Sequence, residues 1–564
     1  MTGRGFVWKG KTLLSGIDPT GRAERTANAI PITDRTLYLC PSPLYGYGLE
    51  RLLARLAEGA PHSALLCPEA DKELYDLSLQ NCSPSLLANK KLRITDICEC
   101  AALCAFVRQS WGARNFRRVE IVRLSGGWQL FPALYDSLAE ALRREIATDW
   151  GNALTLARLG RRYIRNALRN LALIPRFPSI AELSWGAAPV LVLGAGPSLD
   201  AVLDGLARHF GDCPPGDRHS GGTLHKRENR PFKIVCVDTC LPALRERNIV
   251  PDLAVILESQ HWNLRDFIGS LGWDVPAAMD LSALPETGQI LAGGLFLFMT
   301  PWTTLRIFDR LKALLPASIL PLGSVGLSAV ELARRLSSGK ILVAGIDFSF
   351  TLDSYHARST PGHKDKLRRH NRFQSLLNAG DAFAPAAFSA VSKSGGQVRS
   401  NPAMRSYRSL FEQEFATESR LFDIAGSGLP LGIKTLSPEE AFDALGASGA
   451  LKGGSAAPGG NCAAKQTALT EALKSFLQSE KNRLTLLRSI LTGEAAAEQL
   501  GALIDECDYL WAHFPDYAAA GGRRPVAQEI AAGTPAAISF LKRLRAEIDP
   551  ALALLERVME SVPK

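Results

Sequence analysis

Between about residues 185 and 445, short apolar runs alternate with stretches of helical periodicity, and this alternation constrains the fold most strongly. The runs are Val190–Leu193, Lys233–Val237, Leu253–Leu257, Gly294–Phe298 and Lys340–Ala344. Strands buried on both faces have this pattern, and strands separated by helices usually pair in parallel. The alternation therefore predicts an α/β fold with a doubly wound, mainly parallel, Rossmann-like sheet covered by helices on both faces.

Composition divides the chain into four segments. Residues 1–150 mix strand-like runs with helical periods, which predicts an N-terminal α/β domain. Residues 151–445 form the predicted central domain with a leading helix, and residues 446–465 have the Gly, Ala and Ser content of a linker. Residues 466–564 are almost continuously helical in pattern and predict a C-terminal helical domain.

The net charge of the chain is +9, which favours an anionic partner. Its basic residues are spread along the chain rather than clustered among aromatic residues, so nucleic acid is not a predicted partner. No apolar stretch reaches the roughly 18 residues that a membrane span requires, and the N-terminus lacks a secretory apolar core. We therefore expect a cytoplasmic protein with no membrane span.

Cysteine and histidine spacing does not predict a metal site. The tightest cysteine cluster lacks a fourth ligand at a usual zinc spacing, and it consists of Cys98, Cys100 and Cys104. These thiols are predicted to pack in a core. Histidines at positions 356, 363 and 370 recur every seven residues, but Pro361–Gly362 interrupts any helix between them. A shared metal face is therefore not predicted.

The strongest local signal follows the first central strand and reads Gly194-Ala-Gly196-Pro197-Ser198. Glycines let the backbone approach a ligand closely, and Ser198 can cap the next helix, whose N-terminus attracts phosphate. The segment lacks the third glycine of G-x-G-x-x-G and the Gly-Lys-Ser/Thr ending of a P-loop. Gly194, Gly196, Pro197 and Ser198 are predicted to bind substrate, and a tight structural turn is the alternative.

Polar residues also follow other predicted strands. Asp238–Thr239 and Glu258–Ser259 end the second and third strands, where a ribose or a base would be bound in such a sheet. Gly323–Ser324 precede a helical stretch whose first amides suit a phosphate or a carboxylate. All three pairs are predicted substrate-binding residues.

Asp347 follows the strand Lys340–Ala344, and His356 lies nine positions further on. An aspartate at a strand end can orient an imidazole, which then acts as a general base near neutral pH. His356 and Asp347 are therefore the predicted catalytic residues. A helix cap and an unrelated surface histidine form the alternative.

These motifs, taken in order, resemble the motility accessory factors. They are Gly194–Leu199, Asp238–Leu244 with Pro251–Asp252, Gly323–Gly326, Gly345–Asp347 with His356, and Ser400–Asn401 before a helix that carries Tyr407. Upstream, Asn152, Thr155, Gly160, Asn166 and Asn170 look like the helix that precedes the glycine-rich strand in that family. The resemblance covers about residues 36–442 and implies an MptE-like central domain.

The resemblance implies a glycosyltransferase that moves a nonulosonic acid from a CMP donor to Ser or Thr of flagellin. The implied partners are flagellin and the CMP-activated sugar, and no cofactor or metal is required. Gly-Pro-Ser and Gly-Ile-Asp-Phe also look like signatures of small bacterial sialyltransferases, which supports a CMP donor. The oligomeric state is left open.

Two alternatives belong to other functional classes. The central domain also resembles archaeal hydroxymethylpterin pyrophosphokinases, whose ATP chemistry would need Mg²⁺. A non-enzymatic accessory protein that binds flagellin is the second alternative.

Overall fold

The computed structural model describes residues 5–112, 115–210, 230–301, 303, 305–352, 354–373, 375, 384–447, 461–515, 529–530 and 532–563. The chain divides into two compact units: Met1–Gly160 with Trp511–Ile538, and Arg161–Leu510 with Ser539–Lys564. Most of the predicted linker at 446–465 lies outside the described residues. The predicted domain limits stay a prediction.

The first unit contains a four-stranded parallel sheet and a small antiparallel pair. The pair is β1 (Phe6–Trp8) and β2 (Lys11–Leu14), and the sheet consists of β3 (Thr36–Leu39), β4 (Ala64–Pro68), β5 (Leu92–Thr95) and β6 (Arg118–Ile121) in the order β5-β4-β3-β6. The helices are α1 (Pro19–Ala29), α2 (Leu49–Gly59), α3 (Lys72–Asn81), α4 (Pro84–Leu87), α5 (Cys100–Ser110) and α6 (Pro132–Asn170), of which the residues of α6 from Arg161 onward belong to the second unit. Cys104 is buried in the core on one side of this sheet, and Cys98 and Cys100 are partly buried against that core.

The second unit is built on an eight-stranded sheet in which every neighbouring pair is parallel. Its strands are β7 (Val190–Leu193), β8 (Lys233–Val237), β9 (Leu253–Ile256), β10 (Ala277–Asp280), β11 (Leu295–Phe298), β12 (Ile341–Ala344), β15 (Leu421–Ile424) and β16 (Lys434–Leu436). A separate antiparallel hairpin consists of β13 (Phe388–Val391) and β14 (Gln397–Ser400).

Helices fill the connections of this sheet and the C-terminal part of the chain. They are α7 (Leu199–Phe210), α8 (Leu241–Glu246), α9 (Arg306–Leu311), α10 (Val325–Leu336), α11 (Pro361–Arg369), α12 (Pro402–Phe415), α13 (Pro438–Gly446), α14 (Ala463–Thr492), α15 (Leu500–Glu506) and α16 (Pro535–Ser561). In the part of the chain that the structure describes, none of the helices has the length and apolar character of a membrane span. The predicted fold class, a central parallel α/β sheet with flanking α/β and helical parts, is confirmed.

The strand order is β11-β10-β9-β8-β7-β12-β15-β16, so the direction of winding reverses between β7 and β12. In a doubly wound sheet, a crevice opens beyond the carboxyl ends of the strands at such a reversal. The five predicted central strands are confirmed, two of them over the same residues. The strands β7 and β12 are buried along their whole length because they are apolar on both faces.

The C-terminal helix α14 is tied to the sheet-bearing part of the second unit by a buried carboxylate. Glu480 is fully buried, and both its oxygens accept hydrogen bonds from the Arg310 guanidinium of α9 at 2.9 and 3.0 Å. The Tyr509 hydroxyl donates to the same carboxylate at 2.9 Å. Arg483 of α14 also donates to Glu480 at 2.5 Å, so two guanidinium groups compensate the buried charge where α14 meets α9.

Candidate functional site

The glycine-rich turn after β7 packs directly against the end of β12. A Cβ atom on Gly194 would lie 2.5 Å from the Gly345 carbonyl oxygen, and one on Gly196 would lie 2.5 Å from Asp347 Oδ2. The Gly196 amide donates to the Gly345 carbonyl at 2.7 Å. The close contact between the ends of β7 and β12 therefore requires both glycines, as expected for a tight structural turn. Their predicted contact with substrate stays a prediction.

Ser198 joins the two strand ends through hydrogen bonds to Asp347. The Ser198 amide donates to Oδ2 at 2.7 Å and the hydroxyl donates to Oδ1 at 2.5 Å. Asp347 is 3% exposed, and burial raises the pKa of its carboxyl, while the Lys393 charge and the Ser198 hydrogen bonds act in the opposite direction. The Ser198 hydroxyl, expected to cap a helix, thus serves as a donor to the strand-end aspartate.

The backbone amides of the glycine-rich turn are less suited to binding an anion than the sequence suggested. The amides of Gly194, Gly196 and Ser198 all donate within the protein, to Ala344, Gly345 and Asp347. The Asp347 carboxylate adds a negative charge beneath the turn. A phosphate held by these same amides would have to displace existing hydrogen bonds and approach a carboxylate, which is unfavourable.

The structure brings the His356 segment to this turn. The amide of Ala357 donates to the Ala195 carbonyl at 2.9 Å, so His356 lies next to the glycine-rich turn. The half-buried His356 ring contacts the Tyr355 ring, with 4.9 Å between centroids, and Nδ1 lies 3.1 Å from the position of a Cβ on Gly362. The predicted orientation of His356 by Asp347 stays a prediction, because both Asp347 oxygens bind Ser198.

A second group lies at the carboxyl end of β8 and consists of two carboxyls joined by an amide. The Asn263 side-chain nitrogen donates to Asp238 Oδ2 at 2.8 Å and to Asp266 Oδ2 at 3.2 Å. Thr239 also bonds both carboxyls through its hydroxyl. Burial raises the pKa of Asp238 to about 6, and burial together with the charge of Asp238 raises that of Asp266 to about 7. The two carboxyls therefore titrate as an interacting pair near neutral pH.

Glu258 follows β9 and lies near two tyrosines, Tyr163 and Tyr407. The exposed Glu258 carboxylate is close enough to raise the pKa values of Tyr163 and Tyr407, although burial is the larger cause in both. Ser259 hydrogen-bonds Tyr163. The Tyr407 ring lies 3.5 Å from the position of a Cβ on Gly323, which has a left-handed φ of +66°.

Ser324 is the N-cap residue of α10 and has extended backbone, and its carbonyl accepts from the Ser328 amide at 3.0 Å. The first amides of a helix have no partner within the helix, so they can bind an anion. The structure thus places Glu258–Ser259 and Gly323–Ser324 around Tyr163 and Tyr407.

Two asparagines on α6 hold the loops that follow β9 and β10. Asn166 donates to the carbonyls of Ser259 and Ser282 at 3.0 and 3.1 Å. Asn170, one helical turn later, donates to the carbonyls of Leu281 and Ala283 at 2.8 and 2.9 Å. Both asparagines belong to the residues that carry the resemblance in sequence, and the structure gives them a supporting role at the site.

Comparison with known proteins agrees with this architecture. A solved structure described as the MAf glycosyltransferase from Magnetospirillum magneticum AMB-1 matches 99% of this chain and 90% of that chain, with a TM-score of 0.52 and 14% identity. The chain has a Maf-like fold. The predicted resemblance to the motility accessory factors is therefore confirmed at the level of the fold.

Two further similarities concern the sequence of the chain. Residues 222–353 match the family model described as 6-hydroxymethylpterin diphosphokinase MptE-like. A relative from Treponema pallidum (strain Nichols), described as an uncharacterized protein, is 29% identical over 559 residues, which cover 96% of this chain and 91% of the relative.

Sequence reasoning missed several polar residues near the strands of the central sheet. Asn263 and Asp266 lie on a 3-10 segment, His261–Phe267, rather than at a strand end. Lys393 and Asp423 form a buried ion pair, with Nζ and Oδ1 2.6 Å apart. Asp423 lies within the strand β15, so a search for carboxylates after predicted strands could not find it.

Proposed function

We propose that this protein is a glycosyltransferase, and more narrowly that it moves a nonulosonic acid from a CMP donor to Ser or Thr hydroxyls of flagellin. The observation that carries the proposal is the meeting of the glycine-rich turn, Asp347 and the His356 segment where the winding of the parallel sheet reverses. Ligands of doubly wound sheets bind at this place. The shared fold with a protein described as a glycosyltransferase supports the choice of reaction.

Each part of the site has a role in this proposal. Asp238 and Glu258 contact the nucleoside, since both lie at carboxyl ends of neighbouring strands. The amides after Ser324 hold the phosphate or the sugar carboxylate. The glycine-rich turn, fixed by Asp347, forms the floor beneath the donor.

The proposed chemistry is a single displacement with inversion. The acceptor oxygen attacks the anomeric carbon, the bond from that carbon to the CMP phosphate oxygen breaks, and the acceptor proton passes to His356. A phosphate leaves without strong acid catalysis, so positioning and electrostatic stabilisation contribute most of the acceleration. No step requires a cofactor.

Ligand-dependent melting tests the donor first. Because a ligand that binds the native state alone raises the melting temperature, CMP and CDP should stabilise the protein while UDP, ADP and ATP should not. Incubation with a CMP-activated nonulosonic acid and purified flagellin should then add the mass of the sugar to flagellin. Stabilisation by ATP without any by CMP would contradict the proposal.

A pyrophosphokinase is the second candidate, favoured by the match of residues 222–353 to the MptE-like family model. Its Mg²⁺ fits the central carboxyls poorly, because the Asn263 nitrogen occupies the space between Asp238 and Asp266 as a donor to both. Among the described residues, no three His, Cys, Asp or Glu side chains are grouped so that they could hold a metal ion. Mg²⁺-dependent release of AMP from ATP in the presence of a hydroxymethylpterin would establish this activity.

A further inference from the structure

A lysine side chain is buried beside the strand ends that form the floor of the site. Lys393 lies in the turn between β13 and β14, yet its side chain is only 3% exposed. Its Nζ lies 2.6 Å from Oδ1 of Asp423, whose side chain is also buried. A hairpin turn normally leaves its lysine in water, and a buried charge is tolerated only where it is paired.

The backbone around Lys393 continues this contact to the glycine-rich turn. The Lys393 amide donates to the Gly428 carbonyl at 2.8 Å. A Cβ on Gly428 would lie 2.6 Å from Asp347 Oδ1, so this segment lies directly against the carboxylate. Ser198 donates to both oxygens of that carboxylate. Four loops of the site therefore meet around Asp347.

We propose that Lys393 is a positioning residue, which keeps Asp347 ionised and thereby fixes Ser198 and the glycine-rich turn in the conformation that binds the donor. The inference rests on the proposed function for the nature of the donor. It assigns to the β13–β14 hairpin a part in donor binding through Asp347, without contact between Lys393 and the donor.

Charge balance around Asp347 supports this role. Among the described residues, the charged groups that face Asp347 are Lys393 from the hairpin and Asp423 from β15, while the β7 turn contributes the uncharged Ser198. Burial raises the pKa of Asp347, and Lys393 lowers it. Hydrogen bonds to an ionised acceptor are about twice as strong as those to a neutral one, so the Ser198 contacts depend on this charge.

Asp423 competes for the same lysine. Burial, with a smaller contribution from Asp347, raises the pKa of Asp423 to about 6 against the effect of Lys393. Asp423 Oδ2 has no hydrogen-bond partner among the described residues. The ammonium group of Lys393 thus interacts with two carboxyls. Removal of Lys393 or of Asp423 should therefore change the pKa of Asp347 in a predictable direction.

The test is the affinity for CMP between pH 5 and pH 8.5, measured by calorimetry for each variant relative to the wild type, so that titration of CMP itself cancels. In Lys393→Met, we expect the acid side of the affinity profile to move up by about 1 pH unit or more, with recovery near pH 8.5. In Asp423→Asn, the acid side of the affinity profile should move to lower pH, because Asp347 is then the one carboxylate that interacts with the Lys393 charge.

Conservative and control variants complete the measurement. Lys393→Arg retains the charge and should keep the wild-type profile. Lys340→Met removes an exposed lysine that precedes β12 and should leave the profile unchanged. Losses of affinity that are equal at every pH in Lys393→Met and Asp423→Asn would overturn the proposal, because a purely structural role would produce them.

A melting measurement without ligand tests the role of Lys393 separately from the proposed function. If the wild type does not bind CMP, the donor assignment fails, but Lys393 can still be tested by melting at different pH. Lys393→Met leaves Asp347 and Asp423 without a cation, so its melting temperature should fall further below wild type as pH rises from 4.5 to 8. An equal deficit at both pH values would overturn the role of Lys393.

Discussion

The first sheet and the central sheet each place a serine against a carboxylate beyond their strand ends. In the first sheet, the Ser42 hydroxyl donates to Glu69 Oε2 at 2.5 Å. In the central sheet, the Ser198 hydroxyl donates to Asp347 Oδ1 at the same distance. Both pairs are buried, and the winding of both sheets reverses beside the strand that precedes the serine. The two regions therefore share a local motif in separate units of the chain.

The surroundings of the two pairs differ. The first pair lies beside a buried cluster of the first unit. Leu44, two residues after Ser42, is fully buried in this cluster with Leu13 and Leu14 of β2. The Gly126 amide, after β6, donates to the Leu13 carbonyl at 2.7 Å. The second pair lies beneath a turn whose residues Ala195–Pro197 remain partly exposed.

Charge distinguishes the pairs as well. Burial raises the pKa of Glu69, and its hydrogen-bond partners are the uncharged Ser42 and Tyr135 and a backbone amide. Asp347 instead has the buried ammonium group of Lys393 nearby. The serine–carboxylate pair is therefore common to both units, and the second pair differs by its partly exposed turn and the nearby charge of Lys393.

The largest expected effect is a loss of turnover when a histidine of the second unit, but not one of the first unit, is replaced. In the second unit, His356→Ala should lower turnover by about 10²- to 10⁴-fold with little change in CMP affinity, because it removes the proposed general base. In the first unit, His62 already pairs with Asp34, with Nδ1 and Oδ2 2.9 Å apart. His62→Ala should nevertheless retain wild-type turnover in a flagellin transfer assay.

His363→Ala is the control within the second unit, since burial lowers the pKa of His363 and its Nδ1 accepts from the Ser359 amide. It should retain most of the turnover. Full activity of His356→Ala, or a larger loss in His363→Ala, would contradict the assignment of the base.

A smaller effect is expected when each of the two serines is replaced by alanine. Ser198→Ala removes one hydrogen bond to an ionised group, which corresponds to about 10-fold or more in an equilibrium that depends on it, and CMP affinity should fall accordingly. Ser42→Ala removes the matching bond in the first unit and should lower the melting temperature without a change in CMP affinity. Calorimetry with CMP and thermal melting of both variants measure the difference. Equal CMP affinity in the two variants would show that the turn does not shape the donor site.

The central sheet was largely predictable because its strands are continuous apolar runs. Val190–Leu193 and Lys233–Val237 are strands over the predicted residues. β10 was missed because Ala277–Asp280 has no β-branched residue and ends in an aspartate, so neighbouring strands rather than local preference specify it. Local pattern thus determines the buried core strands, and tertiary pairing determines the weaker ones.

The candidate site was predictable in part. Ser198 and Asp347 were both expected near the strand ends, but their hydrogen bond depends on adjacency of β7 and β12, which lie about 150 residues apart in the chain. Lys393 lies in a Ser-Lys-Ser-Gly-Gly turn, a composition typical of exposed hairpins. Its burial arises from the packing of that hairpin against distant strands. Sequence therefore indicated the strand ends, while the network that joins them required the structure.

The smallest effect concerns carboxyl groups with raised pKa values in the two units. The pKa of Asp266 is about 7, whereas an unfolded aspartate has a value near 3.9. Between about pH 4 and pH 7, the folded state therefore binds more protons than the unfolded state, so stability falls as pH rises and the cost is complete above pH 7. Asp266→Asn removes this titration and should melt about 2–4 °C above wild type at pH 8, with almost no difference near pH 4.5. Glu69→Gln in the first unit should change in the same direction by less, since it has no charged carboxyl neighbour to relieve. A melting difference for Asp266→Asn that is constant between pH 4.5 and pH 8 would show that the pKa of Asp266 is not raised, and the contrast between the two units would then rest on accessibility and Lys393 alone.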